Sequence, residues 1–193
     1  MLAAKQNDHI SEADYLEGEK LAQVRHEYVD GKVYAMAGTS RRHNRIALNM
    51  VVALRQAPKD KHCEILSSDV KVRANKRKTY YYPDVVVGCD PDDTNPYYLE
   101  KPCLIVEVTS KSTEWKDRHE KAVVYQSLES LQAYMLVSQE KPHITLYYRE
   151  DDDGSWWVTA FEGMDQVIPL KCPEMSLTLA DIYEGVDFSQ PAE

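Results

Sequence analysis

Two acidic residues set into strand-like apolar runs constrain this chain more than any other feature. Asp84 stands directly before Val85-Val86-Val87, and Glu107 interrupts Leu104-Ile105-Val106-Glu107-Val108. A buried ionised carboxylate is costly unless a cation or several hydrogen bonds compensate it. Two of them on adjacent strands repel unless a shared cation sits between them or one keeps its proton. Residues 82–121 are therefore the first candidate for a metal site. The helix-like segment that closes this stretch carries Asp117 and Lys121.

The rest of the chain supplies a frame for that stretch. Its 193 residues are read as a single domain, long enough for a substantial core. A short helix is expected over 11–19, with Ser11 as its cap. Asp30-Gly31 between two alternating runs predicts a two-residue hairpin turn. On its first strand Glu27 shares a face with Val29 and can point inward, although a glutamate on an edge hairpin is more often solvated. Thr39 or Ser40 caps a helix to about Ala57, with Ile46, Ala47, Met50, Leu54 and Ala57 as its apolar stripe. His43 falls on the buried-side edge of the first turn, where either a structural or a functional role fits.

Residues 64–73 alternate as one strand, and residues 80–87 return as its partner across a basic turn. Pro83 has no N–H to donate and marks a strand start, bulge or edge just before Asp84. Residues 103–109 form a nearly continuous apolar strand, as expected when both faces are covered. Glu107 is its exception, on the face of Ile105 and Thr109. A helix from Ser112 or Thr113 to about Leu128 places Asp117, Lys121, Val124 and Leu128 on one face. Lys121 thus sits on the apolar stripe, where a snorkelling stem is the ordinary explanation and neighbouring carboxylates are a second one. A strand over 134–138, a hairpin of 144–149 with 156–161 across Asp151-Asp152-Asp153-Gly154, and a closing helical turn over 176–184 complete the reading. The three aspartates lack the ligand spacing of a calcium loop and read as a solvated turn.

Charge is unevenly spread. The chain carries a net charge of −9, which disfavours nonspecific polyanion binding on average. Between residues 41 and 78, however, eleven Lys and Arg face only Asp60, Glu64 and Asp69. Arg41, Arg42 and Arg45 gather where a phosphate would also meet free helix N–H groups. With Lys76, Arg77 and Lys78 they are candidate nucleic-acid contacts, the alternative being a solvated basic face.

The N-terminus has no continuous apolar run and reads as neither signal peptide nor anchor. No stretch approaches the length of a membrane span. Cys63, Cys89, Cys103 and Cys172 are dispersed, without a CxxC pair. They read as buried free thiols in a reducing cytoplasm rather than as a disulfide frame or a zinc site.

Carboxylates from neighbouring strands suit a hard cation such as Mg²⁺ or Mn²⁺. Pro83-Asp84 followed by Glu107-Val108-Thr109 resembles the PD-(D/E)XK nuclease pattern, with Thr109 in the usual lysine slot. The wider set resembles the Uma-two family of restriction endonuclease-like proteins. It comprises Glu27-Tyr28-Val29-Asp30-Gly31, Arg42-His43-Asn44, Ser68-Asp69-Val70, Tyr82-Pro83-Asp84-Val85, and Glu107-Val108-Thr109-Ser110 with Ser112-Thr113, Asp117 and Lys121. The resemblance runs from about residue 12 to about residue 186. It implies an α+β restriction endonuclease-like core, with a mixed central sheet flanked by helices, an additional N-terminal hairpin and C-terminal strands. It also implies Mg²⁺-type metal dependence and hydrolysis of DNA phosphodiester bonds. Carried over by position, Asp84 and Glu107 are metal ligands, the Val108 carbonyl is a third, and Lys121 is similar to a lysine migrated onto the helix. Asp69, Glu27, His43 and Asp117 are second-tier candidates. The alternative is a catalytically silent nuclease fold acting as a nucleic-acid-binding or interaction module. A homodimer is suggested by the resemblance and by Trp156 and Trp157.

Overall fold

The computed structural model describes residues 9–57, 63–74, 78–150 and 154–190. Helix α1 (Glu12–Leu21) is capped by Ser11, whose hydroxyl accepts from the Asp14 N–H at 3.1 Å. Strands β1 (His26–Val29) and β2 (Lys32–Ala35) form the expected hairpin. Both turn residues take positive φ, 46° at Asp30 and 86° at Gly31, which is why Asp-Gly suits this turn. Helix α2 (Arg41–Leu54) starts at Ser40, which accepts from the His43 N–H, and buries Ile46, Met50 and Leu54.

The next segment departs from the single long hairpin read in the sequence. It contains four strands, β3 (Glu64–Ser67), β4 (Lys71–Ala74), β5 (Thr79–Tyr81) and β6 (Val85–Gly88). β3 pairs with β6 and β4 with β5, both antiparallel, yet the two pairs belong to different sheets. The hairpin crosses between sheets through residues 68–70 on the way out and 82–84 on the way back. Pro83 cannot donate to a ladder, so pairing lapses there; the Ser68 N–H still donates to the Asp84 carbonyl at 3.2 Å. Asp84 therefore sits at the point where the chain changes sheets.

Strand β7 (Tyr98–Leu99) is short, and β8 (Pro102–Thr109) is buried along its whole length. The helix that follows is not regular: a π-helical segment, Lys116–Lys121, runs into the short α3, Ala122–Tyr125. Strands β9 (Ala133–Ser138), β10 (His143–Arg149) and β11 (Trp156–Glu162) form a meander. The acidic tip of its hairpin, residues 151–153, lies outside the described residues. A hairpin of β12 (Val167–Lys171) and β13 (Glu174–Thr178) was not legible in the sequence. The closing helix α4 is shorter than the turn read there, Leu179–Ile182, behind a Thr178–Asp181 capping box.

The six-stranded sheet has the order β11-β10-β9-β8-β6-β3, and among the described residues only its β8–β9 pair is parallel. A second sheet runs β2-β1-β5-β4-β7. Strand alternation divides the core. Val85, Val87, Leu104 and Val106 face α2, α4 and the C-terminal hairpin. Val86, Ile105 and Leu136 face α3 and the second sheet. Asp84 and Glu107 continue the second of these faces. Among the described residues no helix is long and apolar enough to cross a membrane.

The cysteines overturn the free-thiol reading. Cys63 is bonded to Cys89, and Cys103 to Cys172. Antiparallel pairing of Glu64 with Gly88 brings Cys63 opposite Cys89. The tip of the β12–β13 hairpin brings Cys172 to the start of β8. Linear spacing conceals both approaches.

Candidate active site

Asp84 and Glu107 meet because of strand register. Val85 lies opposite Val106 in the β6–β8 pair, so the next step outward sets Asp84 opposite Glu107, at the separation where cross-strand side chains interact. The Asp84 carboxylate is held at one oxygen: Oδ2 accepts from the Val108 N–H at 2.7 Å, and His43 Nε2 lies 3.2 Å from the same atom. Glu107 is likewise held at one oxygen. Its Oε1 accepts from Lys121 Nζ at 2.8 Å and from the Tyr125 hydroxyl at 3.1 Å. Among the described residues the second oxygen of each carboxylate has no such partner. Both residues line a cleft of about 840 Å³.

Lys121 is the hub of the site. Its ammonium lies 2.8 Å from Glu107, 3.2 Å from Glu27 and 3.4 Å from Asp117, and Lys121 is only 7 % exposed. The snorkelling alternative therefore fails: the stem carries the charge inward. The solvated reading of Glu27 fails as well, since β1 turns it into the interior, where Lys116 also contacts it at 2.6 Å. Burial disfavours the Lys121 ammonium, but Glu107, Glu27 and Asp117 outweigh that and lift its pKa well above that of a free lysine. Burial pushes Glu107 well above the usual carboxylate range, and the charges of Asp117 and Asp84 add to this against the pull of Lys121. Asp117 shifts upward chiefly through burial. Glu27 moves the other way: burial opposes its ionisation, but Lys121 and Lys116 together hold it below the usual value.

Three participants were not singled out in the sequence. Lys116 and Lys121 are five residues apart, a spacing that an α-helix sends to different faces but that i→i+5 closure brings into line. The Ala122 N–H donates to the Asp117 carbonyl in this way. Tyr125 bonds Glu107 from the same helix, and Gln139 accepts from the Ser40 hydroxyl at 3.0 Å at the rim. A 3.6-residue period contains no signal for Lys116.

Other sequence candidates fall outside this cluster. Asp69 is exposed, pairs with Arg25 at 2.8 Å and lines a different cavity. Arg42 donates to the carbonyls of Gln139 and Gln190, and Arg45 to that of Gly185. Arg41 and Lys78 are exposed. Lys76 and Arg77 lie outside the described residues.

A hard divalent cation fits the Asp84–Glu107 pair. The donors facing the cleft are oxygens, as Mg²⁺ and Mn²⁺ prefer. Among the described residues, the four carboxyl groups of Asp84, Glu107, Asp117 and Glu27 are accompanied by two ammonium groups, Lys116 and Lys121, and by the His43 ring beside Asp84. Among the described residues the buried His43 Nδ1 has no hydrogen-bond partner, another mark of an incompletely satisfied polar centre.

The same architecture occurs in a solved structure described as a putative nuclease belonging to DUF820 from Anabaena variabilis. The likeness has a TM-score of 0.67 at 13 % identity and covers 84 % of this chain and 91 % of that one. The model of the Uma2 family, described as "Putative restriction endonuclease", matches residues 13–180, and the chain belongs to that family. Two relatives come from Synechocystis sp. (strain ATCC 27184 / PCC 6803 / Kazusa). Uncharacterized protein slr1290 is 37 % identical over 93 % of this chain and 94 % of its own length. Uncharacterized protein sll1609 is 30 % identical over 80 % and 88 %.

Proposed function

We propose that this cleft hydrolyses DNA phosphodiester bonds with Mg²⁺ or Mn²⁺ held by Asp84 and Glu107. The observation that carries this reading is the Asp84–Glu107 pair at the change of sheets, with the Lys121 ammonium 2.8 Å from Glu107. Family membership supports a nuclease in general terms. When bound, the cation polarises a phosphoryl oxygen and lowers the pKa of a coordinated water. Asp84 is oriented for its part by the Val108 N–H and His43, and Glu107 by Tyr125 and Lys121. Lys121 stays protonated and places positive charge beside the scissile group, where negative charge builds in the transition state. It does from the helix what a lysine at position 109 would do from the strand. Val108 lines the same cleft, and its carbonyl is the third ligand in this proposal. Because the cleft is acidic, phosphate is repelled until the cation is present.

One observation favours a silent nucleic-acid-binding module instead: the ammonium of Lys121 already has three carboxylate partners. Incubation of supercoiled plasmid with the protein in Mg²⁺ or Mn²⁺ separates the two readings. Nicking or linearisation is expected from wild type, with a loss of at least about 100-fold in Asp84→Asn and Glu107→Gln. DNA retention without cleavage in every metal selects the silent module.

A further inference from the structure

We propose that Cys63, Cys89, Cys103 and Cys172 form a second, independent metal site, a tetrathiolate that binds one Zn²⁺ when its two disulfides are reduced. Three of the four sulfurs form one group that spans the two bridges. Cys89 Sγ lies 3.6 Å from Cys103 Sγ and 3.4 Å from Cys172 Sγ, although it is bonded to neither. Among the described residues, the group of three or more His, Cys, Asp and Glu ligand atoms lying within 4.8 Å of one another is Cys89, Cys103 and Cys172. Cys63 joins it through its bond to Cys89. Zinc–thiolate bonds of about 2.3 Å in a tetrahedron place sulfurs roughly 3.8 Å apart, close to the two contacts between the bridges.

The chemistry of the donors names the metal. Four sulfurs select a soft or borderline ion and exclude Mg²⁺, so this site does not compete with the carboxylates for their cation. Position separates the sites as well. Cys89 and Asp84 flank opposite ends of β6, and Cys103 and Glu107 lie near opposite ends of β8. At about 3.3 Å per residue the two centres are roughly 13–17 Å apart. The ligands come from the start of β3, the end of β6, the start of β8 and the β12–β13 turn. Cys103 belongs to the core beneath α2, and the other three pack against it. Closure of the site thus fastens the C-terminal hairpin to the main sheet in either state. Conversion is balanced: each disulfide takes two electrons and two protons from one molecule of a dithiol, which leaves as its cyclic disulfide. The four thiols then lose their protons to solvent as Zn²⁺ binds.

The test compares oxidised wild-type protein with the same protein reduced by dithiothreitol and desalted without oxygen. Titration with Co²⁺ is expected to give thiolate-to-metal charge-transfer bands at one equivalent per chain in the reduced sample alone. One equivalent of Zn²⁺ should displace the Co²⁺ and shield all four cysteines from iodoacetamide. Cys172→Ser should weaken binding at least tenfold, whereas Asp84→Asn should leave the bands unchanged. If reduction unfolds the chain, recovery of its circular dichroism on adding Zn²⁺ supports the site, and failure to recover overturns it. A folded, reduced protein whose bound Co²⁺ lacks thiolate bands, or whose cysteines alkylate equally fast with and without Zn²⁺, also overturns it.

Discussion

Lys121 remains charged in a place that should discharge it, because three carboxylates surround its ammonium. Removing that ammonium leaves the buried carboxylates around it uncompensated, which costs about 3–5 kcal/mol. Lys121→Met should lose stability on that scale in urea melts. The sign of its pH dependence follows from the carboxyls. Without the ammonium, Glu107, Glu27 and Asp117 hold protons in the folded state that they release on unfolding. The variant is therefore least destabilised below about pH 4.5 and weakens as pH rises through the neutral range. Glu107→Gln should behave in the opposite way. Glu107 titrates well above its unfolded value, so in wild type it removes stability as pH climbs above the usual carboxylate range. The variant should match or exceed wild type by about 1 kcal/mol at pH 8 while losing cleavage. A Glu107→Gln protein clearly less stable than wild type at pH 8 would show that the carboxylate serves the fold rather than the chemistry.

Two irregular elements build this cluster. The break at 82–84 frees Asp84 from a ladder and leaves it opposite Glu107. The π-helical segment brings Lys116 and Lys121 toward Glu27 together. A π-helical turn carries an extra residue relative to the α-helix and is common at functional sites. Deletion of exposed Glu120 should restore an α-helix in which Lys116, now four residues before Lys121, keeps its face, while Asp117, now three residues before Lys121, is displaced from its present contact. Cleavage should then fall by at least about tenfold while circular dichroism stays native. These elements also mark the limits of what the sequence discloses. Asp30-Gly31, the Ser40 cap, the apolar run of β8 and the shared face of Asp117 and Lys121 were all legible, since each depends on local periodicity or turn chemistry. The split of residues 64–73 between two sheets was not, because alternation continues through the turn and only partner choice reveals the break. Lys116 was hidden because no fixed period describes a helix that changes its period.

Across the whole molecule, two centres occupy opposite ends of the same pair of strands. The end bearing Asp84 and Glu107 is acidic, open to the cleft and incompletely satisfied; the end bearing the cysteines is covalently closed. The proximity of the four sulfurs was illegible because it arises from sheet order and from a C-terminal hairpin that the sequence did not announce. The carboxylates were legible because burying charge in an apolar strand is costly wherever the strand lies. The net charge of −9 opposes the approach of a polyanion, so the proposed reaction has the cation bind before DNA. That makes metal binding, measured without DNA, the most direct test of the account. Calorimetric titration of the oxidised protein with Mn²⁺ should find one ion per chain, with affinity falling at least about tenfold in both Asp84→Asn and Glu107→Gln. Binding in the Asp84→Asn/Glu107→Gln double variant as tight as in wild type, or no Mn²⁺ binding by wild type, would contradict it.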